Sequence, residues 1–526
     1  MKRRDFLKAA PVAVLPAFLN GITLNAYGSS PMLSALAGAD ADTDHVLVLI
    51  QLNGGNDGLN TVIPLDQYSK LSAYRNNVLI NSPKVLPLNG YTNTGLHPSL
   101  TGIQQMFNNG KVRIVQNVGY PNPNFSHFRS TDIWTSASDS NQTLTSGWAG
   151  RYLNYEYPNF PNGYPNSTMP DPLAIQVGSF LSPVFQGPTV NMAMAISDPT
   201  NFYNLVNGIQ DPAPATPAGK ELTYVRTIAN QTNQFATVVK NAANAVTTQG
   251  VYPSNNDLAD QLKIVARLIG GGLRTRVYMV SLGGFDTHAN QVVSSATDTG
   301  AHADLLTKVS QAVKAFQDDL QGLGVAERVV GMTFSEFGRR IVSNFSSGTD
   351  HGASAPLFIF GNKVIPGILG DNPVIASGTT VNDNLAMQYD FRSVYTSLLQ
   401  DWFCVPPSTV DATIMLKNFQ ALPLVDAQGC TTAIHEINSK AGINLIRNYP
   451  NPFVEKTKIE FTTGGGHTLV QVFNGEGRLI KNLIDQEMTQ GNYVVDFYNE
   501  EYAPALYYAR LQNGVIAQVA SMVIAR

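Results

Sequence analysis

The sequence predicts an α/β fold with a doubly wound, mostly parallel sheet, followed by a small C-terminal β-sandwich. Short apolar runs rich in β-branched residues and bounded by glycine are typical of strands that are buried on both faces. Between residues 44 and 430 these runs alternate with helical patterns, as a doubly wound sheet requires. After Cys430 the pattern changes to alternating apolar and polar residues between turn signals, which indicates a β-sandwich.

Four of the predicted strands run directly into clusters of small, acidic and hydroxyl or imidazole residues. These strands are residues 46–52, 112–118, 277–282 and 329–334. In open parallel sheets, ligands bind beyond the carboxyl ends of the strands. We therefore expect the four clusters to lie along one edge of one sheet.

Helical periodicity is clear in residues 98–108, 303–320 and 391–402. A Pro- and Ala-rich stretch at 211–219 leads into a predicted helical insertion at about 211–270, with helical segments at 221–246 and 256–269. This insertion could cap the site or only extend the fold.

Length and composition limit the possible functions. The chain has 526 residues, and single cores rarely grow past about 250 to 300 residues, so we expect one large domain with accessory segments. Only 14% of residues are charged and the net charge is −4. This composition argues against nucleic acid or a membrane surface as the partner.

The N-terminus has the features of a signal peptide, predicted to cover residues 1–37. A basic start precedes an apolar stretch, Ala9 to Leu19, that is too short to span a bilayer, which needs about 20 apolar residues. The Arg-Arg-x-Phe-Leu-Lys string resembles a twin-arginine export signal. We expect a protein that is secreted or displayed on the cell surface by way of the periplasm, with no transmembrane segment after signal removal.

The two cysteines, Cys404 and Cys430, could form a disulfide in an exported chain or remain as two buried thiols. Neither lies in a Cys-x-x-Cys or Cys-x-Pro-x-Arg sequence. Redox chemistry and the cysteine-derived nucleophile of the usual sulfatases are therefore not expected.

A linker is predicted at residues 431–446 and a β module at 447–526. Its candidate strands are 458–461, 468–473, 493–498, 506–511 and 516–524. The module resembles the C-terminal sorting domain of the type IX secretion system of Bacteroidetes in its Tyr-Pro-Asn-Pro-Phe opening, its Gly491-x-Tyr493 step and its closing Leu-x-Asn-Gly hairpin. The resemblance implies that this module is an address for the secretion machinery.

The first two clusters supply candidates for metal binding and nucleophilic attack. Asp57 lies in a glycine-rich loop, where it could bind a cation or only close the turn. Ser126 stands at the predicted start of a helix, where the positive end of the dipole would favour an alkoxide and a bound oxyanion; it could also be a simple N-cap. Arg129, one turn later, could clamp that oxyanion. His127 could be a packed histidine.

The later clusters supply further metal-ligand candidates. Asp286 and His288 are two residues apart in an extended loop, so both side chains can leave the chain on the same side. Glu336 has the same placement after its strand as Asp57. Asp350 and His351 precede another apolar run, 355–360. His302 could be a further ligand, although a solvated loop histidine is the simpler reading.

The motifs together resemble an uncharacterised bacterial family that is grouped with the alkaline phosphatase-like superfamily. The motifs are Asn-Gly-Gly-Asn-Asp-Gly-Leu-Asn, Ser-His-Phe, Gly-Trp-x-Gly-Arg, Gly-Phe-Asp-Thr-His, Ser-Glu-Phe-Gly-Arg and Gly-Thr-Asp-His-Gly. The resemblance covers about residues 44 to 405 and implies two divalent metals at the carboxyl edge of the sheet, with a nucleophile between them.

Carried over by position, the resemblance implies that Asp57 and Glu336 serve one cation. Asp286, His288 and His351 serve the other, with Ser126 as the nucleophile between the two. By motif alone, Asp350 and His351 would instead form the Asp-His pair of the superfamily. The Asp-x-His spacing and the Glu-Phe step depart from the wider superfamily, so one metal, or none, is also compatible with the sequence.

The sequence therefore predicts a secreted, metal-dependent hydrolase of phosphate or sulfate esters with a serine nucleophile. Oxygen and imidazole ligands suit Zn or Mn, as one or two ions. The expected partners are a small-molecule or glycan ester and the type IX secretion machinery. The alternative is a non-catalytic cell-envelope or glycan-binding protein that retains the fold.

Overall fold

The computed structural model describes residues 15–19, 22–26, 43–197, 235–427, 430, 446–449 and most of 451–525. Two compact units divide the chain: Thr43–Asp426, and Met1–Asp42 together with Ala427–Arg526. Most of the predicted signal peptide, most of the predicted linker and residues 211–234 of the insertion lie outside the described residues.

A nine-stranded, mostly parallel sheet forms the centre of the larger unit. Its strands in chain order are β1 (Val46–Leu52), β2 (Val112–Gly119), β3 (Ala174–Val177), β4 (Ala193–Ile196), β5 (Val277–Leu282), β6 (Val329–Phe334), β7 (Ala355–Gly361), β8 (Gly367–Leu369) and β9 (Tyr389–Asp390). They are hydrogen-bonded in the order β8-β2-β7-β6-β1-β5-β3-β4, with β9 beside β2.

Strand direction explains where the site lies. Every described pair in this sheet is parallel except the two made by β7, which runs antiparallel to β6 and to β2. Consequently β1, β2, β5 and β6 all end at one edge, as predicted, and β7 begins at that same edge. We call this edge the carboxyl edge.

The central strands are buried on both faces because helices cover both. Along β1, the side chains of Val46, Val48 and Ile50 join one apolar cluster, and those of Leu47 and Leu49 join the other. This alternation follows from the two-residue period of a strand. The doubly wound α/β fold class is therefore confirmed.

The helices pack in these two layers. They are α1 (Tyr68–Arg75), α2 (Thr101–Asn108), α3 (His127–Ser136), α4 (Trp148–Glu156), α5 (Asp257–Gly270), α6 (Ala301–Gly322) and α7 (Phe391–Ser397). Residues 235–245 are also helical, and α7 continues as a π-helix over Leu398–Trp402. Side chains of α2, α5 and α6 pack in the first cluster, and those of α3, α4 and α7 pack in the second.

Shorter elements complete the larger unit. Three strands, Val62–Pro64, Leu86–Leu88 and Tyr91–Leu96, form a small sheet, and Arg339–Ser343 pairs with Thr349–His351 as a hairpin. Single turns of helix lie at Gly58–Thr61, Leu65–Gln67, Ser82–Lys84, Pro183–Phe185, Ala326–Arg328, Pro407–Thr409 and Val410–Ile414.

The second unit contains a β-sandwich, as predicted. One sheet is formed by Arg447–Tyr449, Lys456–Thr463 and Gly491–Tyr498, and the other by Gly466–Asn474, Leu479–Met488, Leu506–Asn513 and Ile516–Val523. Side chains of both sheets, among them Ile459, Val470 and Leu511, share one core. Leu15–Leu19 and Ile22–Ala26 pair as two antiparallel strands.

Both cysteines, Cys404 and Cys430, are disulfide-bonded. This outcome favours the first of the two alternatives left open by the sequence. Among the helices of the described part of the chain, none is both long and apolar enough to cross a membrane.

Candidate functional site

Three imidazoles surround the side chain of Asp286 at the carboxyl edge. His351 Nε2 and His288 Nε2 lie 3.1 and 3.2 Å from Asp286 Oδ1, and His127 Nε2 lies 3.3 Å from Oδ2. The Nε2 atoms of His288 and His351 are 2.8 Å apart. We call these four residues the Asp286 cluster.

The fold brings the cluster together from three distant parts of the chain. His127 is the first residue of α3, which follows β2. Asp286 and His288 lie in the loop after β5. His351 ends the hairpin strand that precedes β7, and because β7 begins at the carboxyl edge, His351 meets residues that follow parallel strands.

Each imidazole directs its Nδ1 atom at an oxygen that accepts hydrogen bonds. The pairs are His127 with Glu336 Oε1 at 2.9 Å, His288 with Asp350 Oδ1 at 3.0 Å, and His351 with the Phe125 carbonyl at 2.7 Å. Carboxylate and carbonyl oxygens do not donate, so each Nδ1 carries the proton. In a neutral imidazole, Nε2 then presents a lone pair, which is the arrangement of metal-binding histidines in proteins.

The donor atoms have the spacing that a small cation needs. Zinc bonds of roughly 2.0–2.1 Å in a tetrahedron place neighbouring ligand atoms about 3.3 Å apart, and the contacts within the cluster are 2.8 to 3.3 Å. His127, Asp286 and His351 form a group that could hold a metal ion, with donor atoms within 4.8 Å of one another. Three protein ligands leave a position open, as in catalytic metal sites.

The Asp286 carboxylate is ionised at neutral pH. Its partial burial alone would raise its pKa, but the hydrogen bond and the positive charge of the Arg339 guanidinium outweigh burial and lower the pKa to about 2. Burial lowers the pKa of His351, which favours its neutral form. The cluster therefore offers a charged oxygen and a neutral nitrogen, both suited to a divalent cation.

Arg339 holds the loops around the cluster together. Its guanidinium is buried and donates to the carbonyls of Phe285 at 2.9 Å, Gly55 at 2.7 Å and Thr349 at 2.7 Å, and to Asp286 Oδ1 at 2.8 Å. It thus joins the segments that follow β1 and β5 to the hairpin before β7. Sequence reasoning gave this residue no role, although an arginine directly after a strand-end carboxylate was a signal that could have found it.

Glu336 lies one layer behind the cluster. Its buried Oε1 accepts from the backbone N–H of Gly54 at 2.8 Å and from His127 at 2.9 Å. The sequence predicts Glu336 as a metal ligand; in the structure its carboxylate contacts His127, a member of the Asp286 cluster, and so orients that ring. Asp350 has the equivalent position behind His288.

Asp57 is not among the residues gathered around Asp286. Its carboxylate is 1% exposed and forms an ion pair with Arg75, whose side chain is completely buried. Gln291 Nε2 also donates to it at 2.6 Å. Burial alone would raise the pKa of Asp57, but the charges of Arg75 and His302 hold it lower than usual. The Arg75 guanidinium therefore occupies the position beside Asp57 in which the sequence predicts a metal ion.

Ser126 is exposed and lies between two residues that touch the cluster. The Phe125 carbonyl accepts from His351, and His127 contacts Asp286. Ser126 is the N-cap residue of α3, but its hydroxyl makes no capping hydrogen bond. Its position leaves the nucleophile prediction open.

Arg129 turns to the loop that follows α3. It pairs with Asp132 and donates to the carbonyls of Asp139 at 3.1 Å and Ser140 at 3.2 Å. These contacts give Arg129 a structural role. The predicted oxyanion clamp receives no support from them.

His127 and His302 differ from their sequence-based interpretations. His127 contacts the carboxylates of Asp286 and Glu336 and so belongs to the site. His302 is buried at the start of α6, where Nε2 lies 2.9 Å from Asn56 Oδ1. It is therefore not a solvated loop residue, because its ring packs against the rings of His97 and Phe285.

Gly54 allows the loops after β1 and β5 to touch. It has a φ of +123°, and a Cβ there would lie 2.2 Å from the backbone nitrogen of Asp286. The glycines of this loop thus permit two backbones to meet. The backbone of the loop after β5 therefore occupies the space beside Gly54.

An open cavity of about 500 Å³ lies beside the cluster. Its lining residues are Asn53, Gly54, His127, Phe128, Thr131, Asp132, Pro183, Asp286 and Glu336. The cavity has room for a small organic molecule next to His127 and Asp286.

Residues 95–403 match the model of a family described as Protein of unknown function (DUF1501). The chain belongs to the DUF1501 family. The DUF1501 match covers more than half of the chain and includes every member of the Asp286 cluster. Asp57 and Arg75 precede it.

Several solved structures resemble the DUF1501 chain weakly, at 9% identity. They include an alkaline phosphatase superfamily protein from Vibrio parahaemolyticus, with TM-score 0.32 over 93% of this chain and 84% of that chain. A sulfatase from a Pseudoalteromonas species has TM-score 0.32 over 90% and 87%. A putative sulfatase from Bacteroides fragilis has TM-score 0.27 over 87% and 90%. Similarities at this level carry no information on activity, and no curated protein matches the sequence.

Proposed function

We propose that this DUF1501 protein is a metal-dependent hydrolase of phosphate or sulfate esters. The observation that carries the proposal is the convergence of imidazole Nε2 atoms on Asp286 while each Nδ1 is bound to an acceptor. Two nitrogen lone pairs 2.8 Å apart beside a carboxylate repel one another unless a cation or a proton lies between them. A divalent ion satisfies all of these atoms at once.

His127, Asp286 and His351 would hold the ion, with His288 beside them. A donor set with two or three imidazoles and one carboxylate suits Zn, and Mn is the second choice. When bound, the ion would polarise a non-bridging oxygen of the ester and stabilise the charge that develops there. The contacts support one cation site, because Asp57 is paired with Arg75 and Glu336 with His127.

Ser126 is the proposed nucleophile. Its Oγ would form a bond to phosphorus or sulfur as the bond to the alcohol oxygen breaks, with the serine proton passing to solvent and the alcohol taking one from solvent. Water would then hydrolyse the ester on Ser126 and restore the hydroxyl. Support comes from the exposed, uncapped hydroxyl and from the attachment of both neighbouring residues to the cluster.

Elemental analysis of the purified protein together with an ester panel tests the metal proposal. We expect about one Zn or Mn per chain, loss of that metal in His351→Ala, and normal content in His467→Ala, an exposed histidine of the β-sandwich. Turnover of aryl phosphates, phosphodiesters or sulfates should depend on the metal. Wild-type protein that binds no metal and hydrolyses none of these esters would overturn the proposal.

Ser126→Ala separates a hydrolase from a binding protein. For a serine nucleophile we expect near-complete loss of turnover with unchanged metal content, whereas Ser140→Ala, in the loop after α3, should keep full activity. If Ser126→Ala retains turnover, another group attacks the ester. A non-catalytic envelope or glycan-binding protein would show no turnover in either variant.

The proposal also includes export. The twin-arginine-like start and the sorting-domain resemblance of residues 447–526 support secretion or surface display through the type IX machinery. Deletion of residues 447–526 in a host with that machinery should leave the protein in the periplasm. Unchanged secretion of the truncated protein would disprove this part.

A further inference from the structure

A bare aromatic side chain stands at the cavity. Phe128 is 91% exposed, although it lies in the first turn of α3 next to His127 and lines the cavity. Burying a phenylalanine stabilises a protein by roughly 1.5–3 kcal/mol, and the exposed Phe128 side chain does not contribute this free energy to folding. Exposed aromatic groups beside a cavity are typical of ligand-binding surfaces.

A second apolar segment lies at the same edge of the sheet. β3 is parallel to β5, so the loop after β3 also begins at the carboxyl edge. In this loop Phe180 is 82% exposed and Leu181 38% exposed, and Pro183 lines the cavity. The 3-10 turn that contains Pro183 packs against α3, which carries Phe128.

Two polar side chains face the same cavity without internal partners. Asn53 follows β1, and Thr131 lies one helical turn after Phe128. Neither side chain has a hydrogen-bond partner among the described residues. An amide and a hydroxyl in this state can donate to, and accept from, the hydroxyl groups of a ligand.

The charges of the lining exclude a second anionic group. Of the nine lining residues, all of them described, three are acidic (Asp132, Asp286 and Glu336) and none is Lys or Arg. A ligand with several phosphates or sulfates would meet repulsion beyond the metal ligands. Each of these carboxylates already has a partner, Arg129, Arg339 or His127, so the lining does not call for a cationic group either. A neutral group with an apolar face and hydroxyls fits the cavity best.

We propose that this cavity takes the neutral sugar ring of a carbohydrate monoester, with the Phe128 ring against the apolar face of the sugar and with Asn53 and Thr131 bonded to its hydroxyls. The inference rests on the proposed function for the position of the ester group at the Asp286 cluster. It adds the class of alcohol that the enzyme releases, a sugar.

The test compares glucose 6-phosphate and glucose 6-sulfate with the open-chain sorbitol 6-phosphate and with phenyl phosphate. Sorbitol 6-phosphate has the same number of carbon atoms and one more hydroxyl, but it has no ring face. We expect kcat/KM to be at least tenfold higher for a ring-closed sugar ester than for sorbitol 6-phosphate or phenyl phosphate. Phe128→Ala should lose roughly tenfold in kcat/KM on the sugar ester, and Phe128→Trp should retain it. Tyr498→Ala, which removes a half-exposed aromatic side chain of the β-sandwich, should match wild type.

Ligand-observed NMR of the same esters separates this inference from the proposed function, because binding does not require turnover. If no ester is hydrolysed but the glucose esters bind and Phe128→Ala weakens them, the sugar site stands and the hydrolase proposal fails. Equal handling of sorbitol 6-phosphate, preference for phenyl phosphate, or an unchanged Phe128→Ala would each overturn the sugar site. Any of these results would leave the proposal of metal-dependent hydrolysis unaffected.

Discussion

Replacement of Asp57 by asparagine distinguishes a structural carboxylate from a metal ligand. Asp57 and Arg75 are 1% and 0% exposed, and the pair is supported by Gln291. Asparagine keeps the shape but leaves the guanidinium without a counter-charge in a site that water does not reach. Removing one partner of a buried ion pair costs roughly 3–5 kcal/mol, so we expect that loss in the free energy of unfolding.

Tryptophan fluorescence during urea unfolding measures this loss in the correct part of the molecule. The chain contains 3 tryptophans. All of them, Trp134, Trp148 and Trp402, are buried in the second apolar cluster of the larger unit. The expected change is a shift of the unfolding midpoint on the order of 1 M urea. Metal content should equal that of wild type.

The double variant Asp57→Asn with Arg75→Met is the internal control. Because it also removes the stranded charge, it should recover part of the lost stability. The experiment belongs at pH 7: the pKa of Asp57 is lowered on folding, so its contribution is present above about pH 4 and disappears as the pH falls through its folded value. A single variant with normal stability and no metal would refute the reasoning and restore Asp57 as a ligand.

Three further outcomes follow from buried groups and close backbone contacts. Burial lowers the pKa of His302 to about 4, against about 6.5 in the unfolded chain, so the neutral folded form loses about 2 kcal/mol of stability when the pH falls from above 6.5 to 5. The free energy of unfolding of His302→Gln should therefore fall less between pH 7 and pH 5 than that of wild type. An equal fall in both proteins would contradict this assignment. Gly54→Ala should lower metal affinity at least tenfold, because its Cβ would meet the Asp286 backbone at 2.2 Å, whereas Gly283→Ala, with no atom within 4 Å, should bind metal normally. Arg339→Lys should also weaken metal binding by roughly 10- to 100-fold, because one ammonium group cannot donate to all the carbonyls and the carboxylate that the guanidinium binds. An unchanged metal affinity would show that Arg339 does not position Asp286.

The strands were the most predictable part of the fold. The predicted ranges 46–52, 277–282 and 329–334 coincide with β1, β5 and β6, because β-branched runs between glycines admit few alternatives. The strand Leu479–Met488 was missed, since it is largely exposed and its side chains do not alternate. Strand direction could not be read either: nothing in residues 355–361 indicates that β7 runs against its neighbours.

Within the site, the position of a residue relative to the predicted strands was informative, whereas the side chain that it contacts could not be predicted. The proximity of Asp286 and His288 followed from their shared place after β5, whereas the sequence grouped His351 with them only through the family resemblance. The partner of Asp57 could not be predicted, because Arg75 lies 18 residues away in a helix whose pattern gives no reason to expect a buried arginine. The sequence leaves the role of His127 open, because a histidine beside a candidate serine has no distinctive spacing. Only the three-dimensional arrangement shows that its ring faces two carboxylates.

The reversed direction of β7 has a consequence for how this molecule can vary. The reach of a site residue that follows one of the parallel strands is limited by the length of the loop between that strand and the next helix. His351 comes instead from a hairpin whose tip, residues 344–348, lies outside the sheet. Insertions at that tip would change neither the sheet nor the anchor that Arg339 provides at the base of the hairpin. The surroundings of His288 can thus be altered, in evolution or by design, from a segment outside the sheet, because the Ser346 and Ser347 carbonyls accept hydrogen bonds from the backbone that follows His288.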